Sequence, residues 1–296
     1  MENANNKTAV ALGSFDGLHL GHAAVIKRCV GSGFEALIYC VEKPSSNGKL
    51  MSGSYKCKRL FDMGTKRVIL QPLGEIKEMP PREFVTQILV KRLNAGFVCC
   101  GYNFHFGKNG AGDSEMLSEL CEESSVVCEI CPPVCVNGEP VSSSAIRKKI
   151  ESGDVKGANA LLGYDYTIDF EVVSGRRLGR ILGTPTINQL LPEDFVKPRY
   201  GVYASYVLID GKRLPGVTNI GIKPTLGGTD APVCETWIMD YDGDLYGRNI
   251  ETSLLHFVRP EMKFAGLNEL KEQILADGKK SREIFEKSVL RIPESE

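Results

Sequence analysis

The hydrophobic rhythm of the chain changes once, near residue 160, and no single sheet type accommodates both halves. From Lys7 to about Asn159, short apolar runs alternate with stretches of 3.6-residue periodicity, the pattern of an α/β fold layered on a parallel sheet. The spacing predicts strands at Thr8 to Leu12, Ala36 to Val41, Arg67 to Leu70, Phe97 to Gly101 and Val126 to Ile130. Helices are expected between them, including His22 to Val30, Arg82 to Leu93 and Asp113 to Glu122, and crossovers of that length join parallel strands in the right-handed sense. From about Tyr166 the runs are β-rich and broken by Gly, Pro and Asp. Asp210-Gly211 follows Tyr200 to Ile209 and Asp242-Gly243 follows Cys234 to Met239, which predicts antiparallel hairpins and a barrel-like sheet. Leu267, Leu270, Ile274 and Leu275 repeat at helical spacing, so a terminal helix is expected over Leu267 to Phe285 with those residues on one face. A chain of 296 residues exceeds the size at which one core keeps growing. Two domains, 1–158 and 159–296, are therefore expected, divided in the stretch Gly157 to Gly163.

Charge and cysteine content narrow the partners. The 36 Lys and Arg residues nearly cancel the 37 Asp and Glu, which argues against a nucleic-acid partner and leaves compact charged ligands open. Ten cysteines belong to a long chain whose first residues, Met1 to Val10, lack the basic and apolar pattern of a secretory signal, so reduced thiols and a cytoplasmic location are expected. No apolar run nears the roughly 20 residues that span a bilayer, so no membrane partner is expected. Cys128, Cys131 and Cys135 contain one C-x-x-C without a second pair or a nearby histidine, and are read as buried structural thiols. Homo-oligomerisation is left open.

Two segments concentrate chemistry. The first strand runs into Gly13-Ser14-Phe15-Asp16-Gly17-Leu18-His19-Leu20-Gly21-His22, and a helix follows. Glycines let the backbone approach a ligand, free amides at a helix start favour phosphate, and two histidines flanking a glycine add donors at the same place. The second segment, Gly175 to Asn188, combines glycines, arginines and Pro185-Thr186-Ile187-Asn188. Thr186 and Asn188, two positions apart on an extended chain, point the same way and can share one hard cation.

The first segment resembles the H-x-G-H nucleotidyltransferases, and in particular the bacterial bifunctional riboflavin kinase/FAD synthetase family. Gly101-Tyr102-Asn103-Phe104-His105-Phe106-Gly107 and Val141-Ser142-Ser143-Ser144-Ala145-Ile146-Arg147 resemble two further segments of that family. The second constellation resembles its riboflavin kinase signature, as do Asn219 to Thr225, Cys234 to Asp240 and Arg259 to Phe264. The resemblance implies an N-terminal Rossmann-like FMN adenylyltransferase domain with a parallel sheet, and a C-terminal antiparallel β-barrel kinase domain ending in a helix. It implies riboflavin, FMN and ATP as substrates, FMN and FAD as products, and Mg²⁺ as the cation. It also implies roles: His19, His22 and Glu235 catalytic, and Thr186 and Asn188 on Mg²⁺. Gly13, Phe15, Asp16, Gly21, Asn103, Ser143, Ser144 and Arg147 would hold ATP in the first domain, Gly175, Arg180, Gly183 and Pro185 in the second, with Asn219 and Arg259 on the flavin. Two positions depart from the family: Cys40-Val41-Glu42-Lys43-Pro44 has no histidine where the family has one, and His105 stands where arginine is common. A chain that performs only the kinase step, or a non-catalytic flavin-binding regulator, stays open on sequence grounds.

Overall fold

A computed structural model of the protein describes residues 7–43, 47–175, 179, 183–222 and 232–290. The chain forms two units, one of Met1–Ser45 with Gly53–Ser143 and the other of Ser46–Ser52 with Ser144–Glu296.

In the first unit, strands β1 (Thr8–Gly13), β2 (Glu35–Glu42), β3 (Arg67–Pro72), β4 (Ala95–Gly101) and β5 (Val127–Cys131) make a parallel sheet in the order β3-β2-β1-β4-β5. The middle strand is apolar on both faces, with Ala9, Val10 and Ala11 fully buried, as a parallel strand covered on two sides requires. The order reverses between β1 and β4, and ligands in such sheets bind beyond the carboxyl ends of the strands at that reversal. Helix α1 (Leu20–Val30) follows β1. The expected helix over Arg82 to Leu93 opens as one α turn at Pro81–Glu83 and continues as a π-helix over Phe84–Arg92. Its wider turn is seen where the Leu93 N–H donates to the Ile88 carbonyl, five residues back, at 2.9 Å. Phe84, Val85, Ile88 and Leu89 are buried by it. A small hairpin, β6 (Cys135–Val136) and β7 (Glu139–Pro140), closes this region. The C-x-x-C reading needs one correction: Cys131 is buried, but Cys135 is exposed at the hairpin.

The second unit is a curled antiparallel half-barrel. Its strands are β8 (Thr167–Ile168), β9 (Val172–Val173), β10 (Thr186–Leu190), β11 (Gly201–Ile209), β12 (Lys212–Ile222), β13 (Pro232–Ile238) and β14 (Glu251–Arg259), in the order β8-β14-β11-β12-β13-β10-β9. Asp210 (φ 49°) and Gly211 (φ 80°) form the two-residue turn between β11 and β12, both in the left-handed region that a tight hairpin demands. Gln189, fully buried, donates to the Phe170 and Ile250 carbonyls at 2.7 Å each and accepts from the Thr252 hydroxyl at 2.8 Å, fixing β10 in the sheet.

The terminal helix runs over Leu267–Val289, and its buried face is not the leucine face expected from the sequence. Leu267 and Leu275 are exposed, whereas Asp277, Gly278 and Ser281 are buried. The reason is close approach: a Cβ on Gly278 would stand 2.7 Å from the Trp237 ring, and the Ser281 hydroxyl donates to the Gly216 carbonyl at 2.5 Å. Residues 47–52 dock on this unit as an outlying piece of chain. The Lys49 N–H donates to the Asp194 carbonyl at 2.6 Å, and the Val196 N–H donates to the Lys49 carbonyl at 2.9 Å. Gly48 (φ 75°) lies so close to Val196 that a Cβ would meet its backbone nitrogen at 2.5 Å.

Candidate active sites

In the first unit the loop after β1 is held by its apolar residues. Phe15 (φ 48°) and Leu18 (φ 39°) adopt left-handed backbone that bulky residues rarely tolerate, and both side chains are fully buried, which fixes the loop in that shape. The Phe15 ring folds back under Gly13, where a Cβ would meet it at 3.2 Å, and lies edge-on to the His22 ring at 5.3 Å. His19 caps helix α1: its Nδ1 accepts from the His22 N–H at 3.2 Å. That bond leaves the proton of a neutral His19 on Nε2. The two imidazoles stack, with centroids 3.6 Å apart and planes 14° from parallel. Gly21 permits this, because a Cβ there would stand 3.2 Å from the His19 ring.

Both histidines are neutral at ordinary pH. Burial lowers His19 to about 4, against a smaller opposing hydrogen bond. Burial also takes His22 well below its usual range, aided by its neighbours His19 and Lys56. The His22 Nδ1 is sealed from solvent with no partner among the described residues. Below the loop, the Cys40 thiol donates to the Ser14 carbonyl at 3.0 Å, and the Lys56 ammonium lies 3.4 Å from that carbonyl.

The other first-unit candidates surround this loop or the end of β4. The Ser143 hydroxyl donates to the Asp16 carbonyl at 2.8 Å, which ties Ser143 to the loop. Asn103 is exposed in the turn after β4, and a Cβ on Gly101 would meet its Oδ1 at 3.3 Å. Leu12 and Cys100 are register partners, so the β1 and β4 loops leave adjacent strand ends. Ser144 and Arg147 belong to the second unit, where Arg147 Nε donates to the Gly48 carbonyl at 2.7 Å.

In the second unit, the antiparallel ladder sets Asn188 on β10 opposite Glu235 on β13, and Glu235 opposite Asn219 on β12. Directly opposed residues point to one face, so the three side chains form a row across three strands. Thr186, diagonal to Glu235, donates its hydroxyl to Glu235 Oε1 at 3.0 Å. Asn188 is buried, and Gly175 makes room for it, since a Cβ on Gly175 would stand 2.4 Å from the Asn188 amide nitrogen. On the opposite face, the Thr218 hydroxyl donates to Ser205 Oγ at 2.8 Å and pairs with the Thr236 hydroxyl at 2.9 Å. Thr186 and exposed Pro185 border a cavity of about 440 Å³ that also touches Val172, Tyr241, Asp242 and Asp244. Gly183 turns with φ 79°, and the Thr184 N–H closes the loop on the Gly179 carbonyl at 2.8 Å. Arg180 lies outside the described residues, as do positions 223–225 of the expected Asn219 segment.

A hard cation fits the Thr186 and Asn188 oxygens only with help from a ligand. Two neutral oxygens give no charge, and no cluster of three or more His, Cys, Asp or Glu among the described residues is placed to hold a metal ion. That donor set suits Mg²⁺, which keeps waters and takes phosphate oxygens alongside a few protein ligands.

Arg259 stands apart from the row. Its Nε and terminal nitrogen donate to Asp277 at 3.2, 3.0 and 2.7 Å, its other terminal nitrogen donates to the Pro260 carbonyl at 3.0 Å, and both side chains are largely buried. Sequence reasoning missed this pair, because Asp277 reads as one more polar residue on a mostly charged helix. It also missed Lys56, which sits in Lys56-Cys57-Lys58-Arg59 and reads as part of a solvated face.

Two family models match the chain: FAD synthetase over residues 1–145 and riboflavin kinase over residues 162–285. Curated relatives named bifunctional riboflavin kinase/FMN adenylyltransferase include one from Listeria monocytogenes, 31% identical with 94% of this chain and 92% of the relative covered, and one from Escherichia coli K12, 32% identical over 93% and 92%. A crystal structure described as a macrolide-efflux protein from Streptococcus pneumoniae has the same fold, with a TM-score of 0.82, 25% identity and 95% of each chain covered. Among the described residues of this chain, no helix is long and apolar enough to cross a membrane. The chain belongs to the bifunctional riboflavin kinase/FMN adenylyltransferase family.

Proposed function

We propose that the two activities of the family are divided between two stretches of the chain: residues 1–158 adenylate FMN to FAD, and residues 159–296, with 47–52 docked on them, phosphorylate riboflavin to FMN. The Thr186 to Glu235 hydrogen bond, with Asn188 and Asn219 in the same row, is the observation that carries the kinase assignment. Glu235 accepts the proton of the ribityl 5′-hydroxyl as that oxygen bonds to the γ-phosphorus of ATP, and ADP leaves with the electrons of the broken bond. Thr186 and Asn188 would hold Mg²⁺, which when bound supplies charge neutralisation at the phosphates. Gly175, Arg180, Gly183 and Pro185 take the nucleotide side, and Asn219 the flavin. Arg259 acts on the flavin end through its ion pair with Asp277, which anchors the end of β14.

In the first unit, an FMN phosphate oxygen attacks the α-phosphorus of ATP and pyrophosphate departs. His19 and His22 serve as neutral N–H donors to the phosphates, on a loop shaped by Gly13, Phe15, Asp16 and Gly21, while Asn103 and Ser143 complete the ATP contacts. Catalysis there is positioning and charge stabilisation, with no covalent intermediate. Ten unpaired thiols suit a reducing cytoplasm. Incubating the protein with riboflavin, ATP and Mg²⁺ and separating the flavins tests the whole reading. FMN followed by FAD is expected; FMN alone would leave only the kinase, and neither product would end both assignments.

A further inference from the structure

Lys56 is a buried cation with no counter-charge among the described residues. It is 8% exposed on helix Gly53–Asp62, and its ammonium reaches the Ser14 carbonyl at 3.4 Å and the Cys40 sulfur at 3.5 Å. Neither is an anion: burial raises the Cys40 thiol, whose S–H is given to the same carbonyl. No carboxylate pairs with Lys56 among the described residues. Buried charges are otherwise paired, so an ammonium kept this way points to an anion that arrives from outside.

The location says which anion. Ser14 directly follows β1, and Cys40 is the β2 register partner of Gly13, so the ammonium sits at the carboxyl edge of the sheet beneath the histidine loop. Its charge is felt at His22, whose Nδ1 also lacks a partner among the described residues. Two neutral imidazoles can donate hydrogen bonds to a polyphosphate but cannot neutralise it. Within this unit, Lys56 is the buried cation beside them.

We propose that Lys56 binds the polyphosphate of ATP in the first unit and neutralises the departing pyrophosphate, a role that rests on reading this unit as the FMN adenylyltransferase. As the FMN phosphate oxygen bonds to the α-phosphorus, the bond to the bridging oxygen breaks and its electron pair leaves on pyrophosphate. The Lys56 ammonium faces that growing charge, and the step moves no proton at this residue.

The test is Lys56→Met, similar in length and uncharged, with Lys56→Arg beside it, both in the full chain. A functional cation held against its own burial makes Lys56→Met melt at a higher temperature than the wild type. FAD formation from FMN and ATP falls about 10²-fold while FMN formation from riboflavin is unchanged, and Lys56→Arg recovers part of the loss. Inorganic pyrophosphate with Mg²⁺ raises the melting temperature of the wild type and not of Lys56→Met. Wild-type FAD formation in the methionine variant, equal pyrophosphate protection of both proteins, or a lower melting temperature with both activities reduced together would each overturn the proposal. Should the wild type make no FAD, the adenylyltransferase reading fails by itself, and the pyrophosphate comparison still decides whether Lys56 binds an anion.

Discussion

The Thr186 hydroxyl donates to Glu235 Oε1 across 3.0 Å, so a neutral oxygen donor and a carboxylate are held together on neighbouring strands. The hydroxyl's lone pairs lie on the side away from its proton, where a cation can meet them. Glu235→Gln preserves the shape and can still accept from Thr186 through its amide oxygen, but it cannot take up a proton. Riboflavin phosphorylation should fall by about 10²- to 10⁴-fold, with FMN adenylation intact, as measured by separate product assays on one folded preparation. Loss of both activities would refute the division of labour.

Gly21→Ala tests the stacked histidines. A Cβ 3.2 Å from the His19 ring must push the imidazole off its cap on the His22 N–H. FAD formation should drop about tenfold or more, since small misplacements of positioned groups are costly. Thermal stability should change little, because alanine is the better helix former. An unchanged FAD rate would show that the His19 position is not used.

The pH dependence of stability follows from His19. Its folded pKa, about 4, lies below the unfolded value near 6.5, so the unfolded chain binds more protons between those limits. Its contribution is fully present above about pH 6.5 and is lost as pH falls toward 4. His22, lowered for the same main reason, acts in the same direction. Melting temperatures measured from pH 7 to pH 4 should fall more steeply for the wild type than for His19→Asn, which keeps an acceptor at the cap. Parallel curves would show that the histidine is not held neutral.

Arg259 and Asp277 form a buried pair, and breaking one side leaves the other charge stranded. Arg259→Met should cost about 3 kcal/mol in denaturant unfolding, and adding Asp277→Leu should recover most of it. A double variant as weak as the single one would mean that packing at Arg259, rather than charge, holds the terminal helix to β14.

What the sequence revealed was local. The five parallel strands and the Asp210-Gly211 hairpin follow from hydrophobic runs and turn chemistry that read correctly within a short window. Thr186 and Asn188 could be placed on one face because strand alternation is strict, and Glu235 could be matched to them by resemblance alone. The remainder depends on distant partners. Leu267 and Leu275 obey a helical period yet face solvent, because Gly278 and Ser281 let the helix backbone approach Trp237 and Gly216. Lys56 sits among charged neighbours that look solvated, and only the fold shows that the thiol of β2 and the carbonyl of Ser14 enclose it.

The stretch from Gly48 to Ser52 carries a consequence for how this protein can be divided or rearranged. It is synthesised about 100 to 150 residues ahead of the segments it joins, yet Asp194, Val196, Arg147 and Asp169 all bond to it. A fragment cut to begin at Ser144 would be born without that edge. Gene fusion, swapping of halves between relatives, or expression of the kinase part alone must therefore carry this short peptide along or supply a substitute for it.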